Sequence, residues 1–287
     1  MAEYKIGGQA VIEGIMMRSP KIVSLAVRKP DGSIYVESKN ASTIRDKYPV
    51  LNKPLLRGVI VLWESLCDGM VGLEQSAKMA TDGTEEEMSS AESILTILVA
   101  VVLAVGLFIV VPTWSMKFLH TVTDEPLYLN LFEGLLRISI FLAYVVTISQ
   151  MNDIRRVFQY HGAEHKTIYT YEADEELTVE NVRSKSTLHP RCGTNFLMIV
   201  MLISIFVFAF FGWPNVWVRI ASRIVMMPVI AGVSYEIIRF AGDHCKNPLV
   251  HALIMPGLLL QKLTTREPDD NQIEVAIAAV KEALKEN

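Results

Sequence analysis

Four apolar runs divide the chain. Residues 94–111 (ILTILVAVVLAVGLFIVV) carry no charge. At about 1.5 Å per residue, about 20 residues cross a hydrocarbon core, so this run with its flanks predicts a transmembrane helix. A second span is expected over about 129–149, where Glu133 and Arg137 lie four apart and can pair on one helical face. A third, 196–211, is uncharged and followed by Trp213 as an interfacial anchor. A fourth covers about 216–240. In it Arg219 and Arg223 are expected to snorkel to one interface, with Glu236 and Arg239 near the other. Residues 249–260 are apolar but too short to cross and contain Pro256-Gly257, so they read as a re-entrant or interfacial piece.

Other periodicities lie outside these runs. In 22–38 the alternation of Val23, Leu25 and Val27, then Ile34 and Val36, around Pro30-Asp31-Gly32 predicts a β-hairpin. A helix is expected over 54–79, with Leu56, Val59, Ile60, Trp63, Leu66, Cys67 and Met70 on one face, against the bilayer or another helix. The acidic stretch 81–93 reads as a flexible lead into the first span. After Pro268 comes an amphipathic helix with Ile273, Ala276, Ile277, Val280 and Leu284 on one face, capped by Asp269 or Asp270. It is expected to dock on the protein's own cytosolic layer.

Composition agrees with the pattern. Hydrophobic residues make up 51% of the 287 and charged residues 20%, too few to cover a water-soluble surface. A net charge of −4 argues against nucleic acid as a partner, and three cysteines argue for a reducing compartment rather than a disulfide framework. The N-terminus has no basic region followed by an apolar core, so no cleaved signal peptide is expected. Lysine and arginine are distributed unevenly. Eleven precede the first span, one (Lys117) lies in 112–130, six in 150–194, none in 212–218 and five after 240. By the positive-inside rule both termini are cytoplasmic. The expected class is therefore an α-helical polytopic membrane protein of about four spans, in the bacterial plasma membrane, with a small α+β cytoplasmic portion. The expected regions are 1–91, 92–240 with its cytoplasmic loop 150–194, and 241–287. The lipid bilayer is the one partner implied, and no pattern names a substrate or a protein partner.

The residues that could carry chemistry lie on the same inner side. His161-Gly-Ala-Glu164-His165 puts two imidazoles one helical turn apart, as two ligands of one metal require, with a carboxylate beside them. It is the inverted order of the H-E-x-x-H motif, in which the glutamate is the base toward a metal-bound water. His189-Pro190-Arg191-Cys192 supplies a third histidine and a thiol, and Asp243-His244-Cys245 follows the last span. Such a set suits Zn²⁺ better than Mg²⁺ or Ca²⁺. His161, His165, His189 and Cys192 are the candidate ligands and Glu164 the candidate catalytic base. Gly162 costs a helix about 1 kcal/mol relative to Ala, which counts against that placement. His120 and His251 read as structural. Gly7-Gly8 is expected to form a tight turn, and Glu13 and Arg18 are candidates to reach the histidines.

Through GGQAVIEGIMMRSP (7–20), PLLRG (54–58), YHGAEHKTIYTYE (160–172) and HPRCGTNF (189–196), the chain resembles the bacterial YqhQ-type family nearly end to end. That resemblance implies a membrane protein of a family whose activity is not established and which is predicted to consist of metal-dependent enzymes. By it, His161, Glu164, His165, His189 and Cys192 are the expected site. Three readings remain: a membrane-embedded, zinc-type hydrolytic enzyme with its site at the cytoplasmic interface; a non-enzymatic scaffold or interaction protein with a closed His/Cys metal site or none; and a transporter.

Overall fold

The computed structural model describes residues 5–81, 90–245 and 247–285, so most of the acidic lead, 82–89, lies outside the described residues. Strands β1 (Gly7–Val11), β2 (Gly14–Arg18), β3 (Ile22–Arg28) and β4 (Ile34–Asn40) form an antiparallel sheet in the order β1-β2-β3-β4. The β3–β4 hairpin is the expected one, with Gly32 at φ 85° in its turn. The first hairpin corrects the expectation of a turn at Gly7-Gly8. Those glycines pair with Arg18 and Met17 inside β1, and the reversal falls at Ile12-Glu13, with Glu13 at φ 49°. Pairing along the whole of β2 takes both glycines into the ladder, and Glu13 rather than a glycine carries the left-handed backbone of the reversal.

The sheet is covered on both faces. Val11, Met16, Val23, Leu25 and Val27 face helix α2 (Leu56–Ala80), reached through α1 (Ile44–Lys47) and a 3₁₀ turn, Pro49–Asn52. Ile15, Met17 and Ala26 point the other way, into a core with Tyr160, Ala163 and Ile168 of α6 (Asn152–Glu172) and Val275, Ala276, Ala279 and Val280 of α11 (Asp270–Ala283). Ser24 Oγ donates to the Ala279 carbonyl at 2.7 Å, joining β3 to α11. The C-terminal helix therefore docks as expected, started by Asp269 in a capping box with Gln272. A short helix, α7 (Val179–Arg183), packs beside it.

Helix α2 buries glycines rather than its apolar face. Gly69 and Gly72 lie against Gln9 and Met16, and Gly58 against Tyr235. A Cβ on Gly58 would come within 2.7 Å of Tyr235 Cβ, so the small residues set the helix's contact surface. Trp63, Leu66 and Met70 stay half exposed or more. Backbone proximity, not side-chain hydrophobicity, selects the packed side.

The apolar runs are all helical. The first comprises α3 (Ser90–Val105), a π-helical turn at Gly106–Val110 and α4 (Val111–Leu119); the others are α5 (Pro126–Ile148), α8 (Gly193–Ala209) and α9 (Val216–Asp243). Among the described residues, three helices are long and apolar enough to cross a membrane: Ile94–Leu119, Pro126–Ile148 and Val216–Asp243. Gly193–Ala209, the expected third span, is apolar but has only 17 residues. The segment expected to be a re-entrant or interfacial piece is a continuous helix, α10 (Pro248–Thr264), packed against α8 and α9.

Arg219 and Arg223 do not snorkel: both are buried. Arg223 grips both oxygens of Glu133, the second from Nη2 at 2.8 Å. Arg137 Nη2 reaches Glu133 at 3.0 Å, as the spacing of four predicts, and Thr113 Oγ1 donates to it at 2.7 Å. A buried carboxylate this accessible to guanidinium groups draws them inward, because a charge in an apolar interior needs a partner. Glu236 likewise takes a partner from outside its helix, Arg57 of α2. Breaking a buried pair from one side leaves the other charge stranded, at a cost of about 3–5 kcal/mol. Glu133→Gln is expected to lower the unfolding midpoint of detergent-solubilised protein sharply. An unchanged midpoint would show that the arginines are compensated elsewhere.

Candidate metal centre

The H-x-x-E-H run lies within α6, so His161 and His165 share a face, with ring centroids 4.4 Å apart. The HPRC segment turns directly ahead of α8, and Cys192 caps that helix, its sulfur accepting from Thr194 N at 3.3 Å. That is the helix end that favours negative charge. His161 Nε2 lies 3.1 Å from Cys192 Sγ. One ligand atom from each of His161, His165 and Cys192 falls within 4.8 Å of the others.

Both imidazoles are oriented from behind by backbone carbonyls. His161 Nδ1 faces the Thr264 carbonyl at 2.9 Å, and His165 Nδ1 faces that of Thr187 at 2.5 Å. A carbonyl only accepts, so each Nδ1 carries the hydrogen and each Nε2 presents its lone pair toward the cysteine. His165 Nε2 is buried without a hydrogen-bond partner. An orphaned acceptor of this kind, aimed at a thiol and a second imidazole, fits a metal ion, because a buried polar atom left unpaired is costly.

Gly162, which counted against a helix, is what brings this geometry together. A Cβ there would stand 2.0 Å from the Arg266 carbonyl oxygen. The segment after α10 crosses α6 at that glycine, where Arg266 N donates to Phe158 O at 2.9 Å, and so delivers the Thr264 carbonyl to His161. Gln261 of α10 holds the HPRC turn: it accepts from His189 N at 2.8 Å and donates to His189 O and Asn195 Oδ1, both at 2.9 Å. Asn195 Nδ2 in turn donates to Pro190 O at 2.7 Å. Sequence reasoning missed Gln261, Asn195, Thr187 and Thr264. The visible signal was a glutamine ending the apolar run LLLQ, and the two carbonyl contacts carry no side-chain signature.

The other candidates are distributed around this centre. His189 is buried with its ring 5.6 Å from that of His165, but it is not among the three converging ligands. Its Nδ1 accepts from Arg191 N at 3.4 Å, and its Nε2 has no hydrogen-bond partner, with Glu172 at 3.5 Å. Glu164 is buried beneath β1, where its Cγ lies 3.2 Å from the position a Cβ on Gly8 would take. Burial pushes its carboxyl above the ordinary range, against the opposing pull of His161, His189 and the Gly8 N–H. Burial also pushes His165 down, and His189 down to about 4. Glu13 stops one turn short, paired with Arg156 and accepting from Tyr160 Oη at 3.3 Å. Arg18 is on the opposite face of the sheet, bonded to Asp68 of α2, because its strand position points that way. Asp243 pairs with Lys5, and His244 stacks on Phe240. Cys245 lies near Arg191 and Tyr169, at the edge of the site.

Two outcomes follow. Alanine in place of Gly162 raises helix propensity by about 1 kcal/mol yet should lower thermal stability and loosen His161, because the Arg266 carbonyl must move away. A rise in stability would mean that the crossing is not close. Between about pH 6.5 and 4 the unfolded chain binds a proton at His189 that the folded chain refuses. Its contribution therefore falls as pH is lowered through that window, by up to about 1.4 kcal/mol per unit. Glu164, raised, gives the opposite slope above its ordinary range. The measure is thus the difference between wild type and His189→Asn in denaturant titrations of chelator-treated protein: the variant should lose less stability on acidification.

A family model described as "Protein of unknown function (DUF1385)" matches residues 53–286. The chain is 34% identical over 303 aligned residues to "Uncharacterized protein YqhQ" of Bacillus subtilis (strain 168), across 99% of this chain and 95% of the relative. No solved structure matches. On a near full-length likeness and a family model spanning most of the chain, the protein belongs to the YqhQ-type family of unknown function.

Proposed function

We propose that this chain is a four-span protein of the bacterial plasma membrane, with both termini cytoplasmic, that carries a metal-dependent hydrolytic site at the inner interface. The span count takes α8 as the fourth crossing, between α5 and α9, with which it packs. At 17 residues, about 26 Å, it matches a slightly thin hydrocarbon core once its flanks are included. The orientation rests on the lysines and arginines concentrated before the first span and in 150–194.

One observation carries the site: three ligand atoms converge, from His161, His165 and Cys192, with both imidazoles fixed by carbonyls at Nδ1. Two nitrogens and one sulfur suit Zn²⁺, and three protein ligands leave a position for a reactant, as in catalytic rather than structural sites. A zinc ion held there supplies Lewis acidity and lowers the pKa of water. Glu164 is the base. It lies beside His165 on the same helix, covered by β1, and no cationic side chain is hydrogen-bonded to it among the described residues. The strand over Glu164 limits water access, and α6, α8 and α10 hold the ligands rigidly, as preorganised chemistry requires.

The unpartnered Nε2 of His189 favours a second reading, a closed four-ligand site that staples the domain. X-ray absorption distinguishes the two, three protein ligands plus a light atom against four. Elemental analysis of purified protein is the first test. Wild type should hold about one zinc per chain, and His161→Ala should lose it. Glu164→Gln should keep the metal but fail to complement a deletion strain. Absence of metal from wild type and variant alike removes this reading.

A further inference from the structure

At the end of the bundle away from the His/Cys cluster, a cavity of about 370 Å³ opens among Thr113, Lys117, His120, Trp213, Asn215 and Arg219. It is separated from Cys192 by the whole length of α8, about 26 Å at 17 residues. Three of its lining residues are basic and none is acidic. Two carboxylates touch the lining. Glu133 accepts from Thr113, and Asp124, almost fully exposed, faces His120 Nδ1 at 3.1 Å.

Arg219 is the residue that the bundle leaves unresolved. It is 7% exposed, and its guanidinium carbon stands 3.8 Å from the Trp213 ring centroid. Nη2 donates to the Thr113 carbonyl at 2.8 Å, but Nε is buried with no partner. Glu133 has no hydrogen bond to spare it: its oxygens are held by Arg223, Arg137 and Thr113. Three arginines thus share one carboxylate, and the outermost of them lines an open cavity. A buried cation that shares one counter-charge with two other guanidinium groups is under-compensated, and an anion in the cavity is the direct way to remove that cost. A guanidinium, an ammonium and the amide of a capping asparagine form a donor set for oxyanions, joined by His120 in its imidazolium form, since its Nδ1 hydrogen is directed at Asp124.

We propose that this cavity binds a phosphate-type oxyanion on Arg219, Lys117 and His120. The surround fits a lipid headgroup as one source of that phosphate. Trp114, Trp217 and Phe210 are exposed at this end, and aromatic side chains of this kind settle at headgroup level. The other source is free phosphate. The lipid arm shares the membrane reading given above but not the metal site, and each can fail without the other.

The test uses delipidated full-length protein in mild detergent at fixed ionic strength. It is titrated with short-chain phosphatidylglycerol, short-chain phosphatidylcholine and inorganic phosphate, with bound copies counted by native mass spectrometry. One phosphatidylglycerol per chain is expected, bound more tightly than phosphatidylcholine, whose ammonium offsets the phosphate. One bound inorganic phosphate, competing with the lipid, would assign the free anion as a source. Arg219→Gln should weaken binding by about tenfold or more, as loss of a charge-assisted hydrogen bond does. If that variant does not fold, exposed Lys117 decides: Lys117→Gln should weaken binding by about two- to fivefold. Failure of both anions to bind overturns the proposal, as does equal binding of phosphatidylcholine or affinity unchanged in Lys117→Gln.

Discussion

The Arg266 peptide crosses α6 at Gly162 with no room for a side chain between them. Much of the layer around the sheet depends on that contact. It fixes where α10 must end, since Thr264 and Arg266 bracket the crossing, and therefore how α10 lies on α8. It also determines where the chain enters α11, only a few residues later. The same contact explains why a ring nitrogen of His161 faces a carbonyl rather than water. The orientation of a candidate ligand is set by the groups behind it, and for His161 that support comes from backbone atoms whose position one glycine permits.

Polar groups inside the apolar bundle follow a related economy. Glu133 is satisfied by a hydroxyl and two guanidinium groups from three different helices. Such a network ties α4, α5 and α9 together without any apolar packing advantage. Its effect is positional, since the donors on one carboxylate come from three helices. Helix α2 illustrates the complementary device. Glycines bring its backbone against α9 and the sheet, and its larger residues are left for whatever lies outside.

The legible parts of the sequence were those governed by local rules. The apolar runs, the hairpin around Asp31-Gly32, the capped helix after Asp269 and the pairing of Glu133 with Arg137 each depend on residues within a few positions of one another. The convergence of His161, His165 and Cys192 could be anticipated because the topology expected from the lysines and arginines put all three on one side. What could not be read depended on distant backbone. Arg223 turns inward because Glu133, ninety positions away, is available. Gly7 and Gly8 form a strand because β2 needs a partner on that edge. Gly162 looked like a weak point in a helix because its partner, Arg266, is invisible to helix propensity. Gln261 and the carbonyls of Thr187 and Thr264 are positioning groups that no motif encodes.

The hydrogen bond between Ser24 and Ala279 spans 255 residues. Translation proceeds at about 5–20 residues per second, so roughly 13 to 50 seconds separate the two partners on the ribosome. During that interval every apolar helix is made, while the sheet face bearing Ile15, Met17 and Ala26 waits for the helix that will cover it. The layer around the sheet thus closes only after the intervening apolar helices are made, although its strands precede them in the chain. Until α11 is made, that sheet face lacks the helix that covers it in the folded protein.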